Sequence, residues 1–196
     1  MIDSIKKLLI LEGATVAVAE SITAGKLQDA FASISGSSSF FEGGITAYNL
    51  THKVNILGVN YLHAKEVNCV SERVADEMSK GISDKMKSDY GISTTGYAEP
   101  WPEEDIEFAK AYVSIYGRLD KKVLAKAMIK VVNVDGEHNI EVITKYASGN
   151  QNVTEGVIKN TKNISARNGF RDFVAVEVMC IFVAVLGHKL NNKYDK

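Results

Sequence analysis

Three short segments carry residue types that could cleave an amide or cradle a small ligand. The first is Glu20-Ser21-Ile22-Thr23-Ala24-Gly25, between the apolar run Thr15–Ala19 and a helical pattern containing Leu27, Ala30, Phe31 and Ile34. A serine placed there projects from a strand-to-helix turn, and backbone N–H groups at the helix start point toward the same spot. Such a turn serves a nucleophile beside an oxyanion hole, or a phosphate cradle. Its plainer reading is a capped helix start packed by small residues, with Thr23 as the N-cap.

The second segment runs Gly43-Gly44-Ile45-Thr46-Ala47-Tyr48-Asn49-Leu50-Thr51-His52-Lys53. Its two glycines permit close approach of backbone or ligand. With Asn49 as a cap, Lys53 falls in about the first turn of a helix, where the dipole destabilises an ammonium ion. Partial burial acts in the same direction, so Lys53 is a candidate general base. Taken alone it also reads as an ordinary surface lysine. The third segment, Thr94-Thr95-Gly96-Tyr97-Ala98-Glu99-Pro100, follows the strand pattern Tyr90–Thr95. In open α/β sheets, ligands sit at the carboxyl ends of strands, where the turns after Ala19 and Thr95 would both open.

In this order, the three segments resemble the CinA C-terminal domain family. That family includes nicotinamide-nucleotide amidohydrolases and the C-terminal part of competence/damage-inducible proteins. Its pattern is A-E-S-C-T-G-G, then G-G-x-x-x-Y-x-x-x-x-K after a phenylalanine, then T-G-x-A-G-P. Here stand Ala19 to Gly25, Phe40-Phe41-Glu42-Gly43-Gly44 with Tyr48 and Lys53, and Thr95 to Pro100. The resemblance implies a serine amidohydrolase converting nicotinamide mononucleotide to nicotinate mononucleotide and ammonia. In it Ser21 is the nucleophile, Lys53 its base and Tyr48 a hydroxyl that orients the pair. Glu20, Thr23, Gly25, Gly44, Thr95 and Gly96 would bind substrate. The family often ends in G-D-R-x-x-V-R. Gly169-Phe170-Arg171 and Val174 are matched to it, with Ala175 at the second arginine, which makes Arg171 a ligand for phosphate or carboxylate. The resemblance calls for no metal and no cofactor.

Departures from the pattern leave a second possibility open, a nucleotide-binding or regulatory protein with little turnover. Ile22 replaces a cysteine and Ala24 a glycine. Glu99-Pro100-Trp101 replaces a small Gly-Pro-Gly turn and puts negative charge beside the site.

The elements that must hold these residues follow from periodicity. Ile2, Ile5, Leu8 and Leu9 share a helix face. Phe40–Tyr48 reads as a strand, a short helix runs from Asn49 to Leu57, and Ser71 caps a longer helix buried through Val74, Met78, Ile82 and Met86. Ala111–Tyr116 alternates as a strand. Lys122–Val132 and Ile140–Tyr146 flank the turn signal Asp135-Gly136 and read as a hairpin. Ser148–Asn168 is polar and reads as loop or weak helix. The last helix begins near Phe170 and is apolar almost all round from Val178 to Leu186. The expected fold is α/β, a three-layer α/β/α sandwich with a mixed sheet and an antiparallel β-meander. One domain would cover 1–196, with an insertion around 133–165.

Composition narrows the partners. The 23 Lys+Arg balance 24 Asp+Glu, and no basic stripe marks a nucleic-acid face. Cys69 and Cys180 lie apart, without the spacing of a zinc site or a disulfide framework. No apolar run in the sequence reaches the roughly 20 residues that span a bilayer. The expectation is a cytoplasmic protein acting on a small nucleotide, without nucleic acid or membrane. Val178, Ile181, Phe182, Val185 and Leu186 cover more of the last helix than one core face needs, which predicts a homodimer or larger oligomer.

Overall fold

The computed structural model describes residues 2–134, 137–147, 154–158 and 167–194. The chain runs α1 (Ile2–Glu12), β1 (Val16–Glu20), α2 (Lys26–Ala32), β2 (Phe41–Thr46), α3 (Leu50–Leu57), α4 (Tyr61–Glu66), α5 (Glu72–Met86) and β3 (Tyr90–Tyr97). It continues through β4 (Lys110–Gly117), β5 (Lys122–Val134), β6 (Glu137–Tyr146), β7 (Thr154–Ile158) and α6 (Arg167–Tyr194). The seven strands form one sheet in the order β2-β1-β3-β4-β5-β6-β7. β1 pairs in parallel with both β2 and β3, and every later pair is antiparallel. The sheet is therefore mixed and ends in a meander, as the sequence pattern leads one to expect.

β1 is buried on both faces, and its side chains divide the molecule. Val16 and Val18 join a core with Ile5 and Leu9 of α1, Leu27 and Phe31 of α2, and the apolar side of α6. Ala17 and Ala19 face Leu57 of α3, Ala64 of α4, and Val74, Met78 and Ile82 of α5. Alternation along one strand thus creates three layers, with a helix layer on each face. The connection from β1 to β2 passes through α2 on one face. The connection from β2 to β3 passes through α3, α4 and α5 on the other. The carboxyl end of β1 lies where these crossovers diverge, the usual place for a ligand cleft.

Asn49 and Ser71 cap their helices where the sequence puts them. Asn49 accepts the His52 N–H at 2.9 Å, Ser71 accepts the Val74 N–H at 3.1 Å, and Gly58 closes α3 with φ +71°. Three readings change. Thr23 is no cap, because α2 starts after Gly25. α4 is an additional short helix, capped by Asn60. Within the stretch read as loop or weak helix, Thr154–Ile158 is a strand paired with β6. The Asp135-Gly136 turn lies outside the described residues, although Val134 pairs with Glu137 on either side of it. The same holds for 148–153 and 159–166, which include part of the expected insertion.

α6 packs its length against the sheet and α1. Val178, Ile181, Phe182, Val185 and Leu186 are all buried in this chain's own core. Phe182 sits edge-on to Phe31 at 6.2 Å and to Tyr90 at 5.4 Å. Each such side chain contributes on the order of 2 kcal/mol by leaving water. The residues that suggested an oligomer are therefore satisfied within one subunit, and they lend it no support. By length and composition, Arg167–Asn192 could cross a bilayer, contrary to the sequence estimate. Half of its most apolar window is buried inside the domain, which is the behaviour of a core helix.

Candidate active site

Ser21 follows β1 directly and is held by its neighbours on both sides. Its N–H donates to Thr94 O at 2.9 Å, while Ala47 N donates to Glu20 O at 2.9 Å. The turn is thereby tied to the ends of β3 and β2. Lys53, in the first turn of α3, reaches this turn from the opposite face. Its Nζ lies 2.9 Å from Ser21 Oγ, 2.9 Å from Ala47 O and 3.3 Å from Tyr48 O. Both residues are buried, Lys53 to within 1% of full burial. Burial lowers the Lys53 pKa to about 8, against a weaker opposing influence from Cys69. The same burial raises the Cys69 thiol.

The three Lys53 contacts fit both charge states. As an ammonium, Lys53 donates to all three oxygens. As a neutral amine it keeps two donors for the carbonyls of Ala47 and Tyr48, and its lone pair is left for the Ser21 O–H. Among the described residues, no carboxylate is a partner of its Nζ to hold the proton.

Ser21 and Lys53 open into a cavity of about 220 Å³, which Tyr48, Thr95 and Gly96 also line. Thr95 Oγ1 donates to Cys69 O at 2.7 Å, fixing the Asn68-Cys69 turn whose two residues both take positive φ. A Cβ on Gly96 would stand 2.2 Å from Lys110 O on the paired strand, so only glycine fits there. Ile22, Asn68, Cys69, Val70, Tyr97, Ala98, Trp101 and Arg167 complete the wall. The sequence reading names none of these as site residues. Aromatic Tyr97 and Trp101 just beyond Gly96 were the available signal.

Five residues expected to bind substrate lie elsewhere. Glu20 is fully buried and caps α2: its carboxylate accepts the N–H groups of Gly25 at 3.0 Å, Leu27 at 3.1 Å and Gln28 at 2.8 Å. Those helix-start donors are consequently engaged and cannot also serve an oxyanion. Gly25 supplies the positive φ of +99° that turns the chain into α2. Thr23 is buried, its hydroxyl 2.7 Å from that of Thr94. Gly44 lets α2 approach the sheet, since a Cβ would strike Gln28 and Val18 within 2.5 Å. Arg171 donates to Ile22 O at 2.8 Å and Thr23 O at 3.2 Å, so it braces the turn after Ser21 from behind. Tyr48 also differs from expectation. Its carbonyl accepts from Lys53, but its hydroxyl accepts from Arg167 at 3.1 Å, on the solvent side of the pocket. Arg167 further pairs with Glu99.

The family model for the CinA C-terminal domain matches residues 1–147. The chain belongs to the CinA C-terminal domain family. A CinA-like protein of Rippkaea orientalis is 45% identical over 89 residues, covering 45% of this chain and 21% of that protein. A competence-damage inducible protein of Halothermothrix orenii is 35% identical over 135 residues, 69% of this chain and 29% of that one. The chain thus spans less than a third of the length of these curated relatives. Among solved structures, a CinA superfamily protein of Klebsiella pneumoniae 700603 superposes with a TM-score of 0.62 at 21% identity. That match covers 95% of this chain and 96% of the other, and it establishes the shared fold.

Arg167 and Arg171 stand four residues apart on α6, one at the cavity and the other behind the nucleophile turn.

Proposed function

We propose that this domain is an amidohydrolase that uses a Ser21–Lys53 dyad on the carboxamide of a pyridine nucleotide. The observation that carries the reading is Lys53. It is buried, has no carboxylate partner among the described residues and is held by two carbonyls with its third contact on Ser21 Oγ. Near neutral pH a lysine of pKa about 8 is partly unprotonated, as a base must be.

The reaction then runs in two halves. Ser21 Oγ bonds to the amide carbon as its proton passes to Lys53 Nζ, and the carbonyl π pair moves onto oxygen. Lys53 returns the proton to the amide nitrogen, and the C–N bond breaks to release ammonia and an acyl-Ser21. Water, giving a proton to neutral Lys53, attacks the ester. The carboxylic product leaves as Ser21 recovers its proton. Because Glu20 occupies the N-terminal donors of α2, oxyanion stabilisation falls to the Ile22–Ala24 turn. Arg171 holds the carbonyls of Ile22 and Thr23, and peptide planarity turns the N–H groups of Thr23 and Ala24 to the opposite side. Tyr97 and Trp101, edge to face at 6.4 Å, offer flat surface for a heteroaromatic ring. Nicotinamide mononucleotide, giving nicotinate mononucleotide, is the substrate that the family resemblance implies.

A nucleotide-binding or regulatory protein with little turnover is the second reading, favoured by Ala24, which stands at φ +45° in the turn after Ser21 where the family pattern has glycine. Ammonia release from pyridine carboxamides by the wild type, abolished in Ser21→Ala with binding retained, supports the enzyme. Binding without ammonia in the wild type supports the second reading.

A further inference from the structure

We propose that Glu99 is a specificity-determining residue that engages Arg167 and turns phosphate-bearing substrates away, so that this pocket prefers a pyridine carboxamide without a phosphate. The inference rests on the amidohydrolase reading and departs from the phosphorylated substrate that the family resemblance implies.

Only two cationic side chains line the cavity among the described residues, Lys53 and Arg167. Lys53 lies at the bottom, and its Nζ is taken up by Ser21, Ala47 and Tyr48. Among the described residues, Arg167 is therefore the one cation that a phosphate at the mouth could meet. Both ends of that guanidinium are already engaged, one by the Glu99 carboxylate and the other by the Tyr48 hydroxyl. These three residues come from separate parts of the chain, with Tyr48 and Arg167 in the cavity wall and Glu99 paired to it through Arg167.

Glu99 does not arrive on a loose loop. Trp101 and Ile106 exchange main-chain hydrogen bonds of 2.8 and 3.1 Å, closing the turn that follows Glu99. The same segment carries Glu103, Glu104, Asp105 and Glu107. The Glu99–Arg167 pair is half-exposed and of small worth in itself. Its effect is on choice. A phosphate dianion must displace Glu99, leave that carboxylate without its partner and enter a field of further carboxylates, a repulsive element of the kind that sets specificity. A sugar hydroxyl meets no such obstacle, since it can donate to Glu99 while the pair stays closed.

The test compares nicotinamide mononucleotide with its dephosphorylated nucleoside, using the wild type, Glu99→Gln, Arg167→Met and the double variant. The wild type should favour the nucleoside in kcat/KM by about tenfold or more, and Glu99→Gln should shift the ratio toward the mononucleotide by a similar factor, mainly through KM. The double variant should lose that shift, because it requires a free Arg167. A wild type that favours the mononucleotide, or a Glu99→Gln shift that persists without Arg167, overturns the proposal. If neither compound yields ammonia, the amidohydrolase reading fails, and calorimetric dissociation constants for the same pairs still decide the role of Glu99. The expected order of affinities is unchanged. Equal affinity for both compounds, or binding of neither, refutes it.

Discussion

Glu20 Oε1 accepts the main-chain N–H of Gln28 at 2.8 Å, across a loop that also contains the candidate nucleophile. The other carboxylate oxygen takes Gly25 and Leu27. One buried side chain thereby joins the end of β1 to the start of α2 and fixes the shape of the Ser21 turn between them. Charge-assisted bonds to a helix N-terminus are among the stronger local interactions.

Removing that cap should be expensive. Glu20→Ala leaves three N–H groups without their acceptor and should destabilise the domain by about 3 kcal/mol, while Glu20→Gln, which keeps one acceptor oxygen, should cost about 1 kcal/mol. Urea unfolding midpoints measure both. A Glu20→Ala midpoint equal to the wild type's would contradict the capping role.

Ala24 holds φ +45°, in the left-handed region that glycine adopts without strain. The family pattern has glycine at this position, and the backbone supplies the reason. Ala24→Gly should stabilise the domain by about 1 kcal/mol, raising Tm by about 3 °C for a chain of this size. A lower Tm in calorimetry would show that the alanine methyl makes a contact worth more than the strain.

Much of the scaffold is legible in the sequence because its signals are local. The period of Val74, Met78 and Ile82, the caps Asn49 and Ser71, and the alternation of β4 each act within a few residues. Ser21 and Lys53 are legible through motif order, and their face-to-face meeting depends only on β1 and α3 lying side by side. Other features resist for stated reasons. α4 buries only Ala64 and exposes Leu62, so it has no apolar stripe to detect. β7 pairs with β6 alone among the described residues, and its five residues are too few to show an alternating pattern. Glu20 reads as a ligand-binding carboxylate until the chain is seen to turn back at Gly25 and offer its amides. Arg167 and Arg171 are four residues apart in a polar-to-apolar transition. Which one faces the pocket depends on the rotation of α6, which the sequence alone does not define.

Lys53 should leave a mark on stability as well as on activity. Its folded pKa, about 8, lies below the ordinary value of 10.5, so burial disfavours the charged form. Between those values the unfolded chain binds more protons than the folded one, and stability rises with pH. The cost is complete below pH 8 and gone above about 10.5. Relative to Lys53→Met, the wild type should gain up to about 3 kcal/mol between pH 7 and pH 10, read from urea unfolding at both. A difference independent of pH would mean that Lys53 is not desolvated.

Arg171 acts through the turn it braces. Arg171→Met should lower kcat by about 10- to 100-fold while KM moves by less than about threefold, because the main-chain groups beside Ser21 lose their alignment and the pocket wall does not. A rise in KM with kcat retained would return Arg171 to the role of a substrate ligand.

The central claim is that neutral Lys53 activates Ser21, and the pH dependence of ammonia release in wild type and Lys53→Arg tests it most directly. The wild-type kcat/KM should rise with an apparent pKa near 8 and level off above it, following deprotonation of Lys53. Lys53→Arg should lose at least about a thousandfold at every pH, since a guanidinium cannot take the serine proton. A flat wild-type profile, or a Lys53→Arg enzyme that keeps most of its turnover, would contradict the dyad.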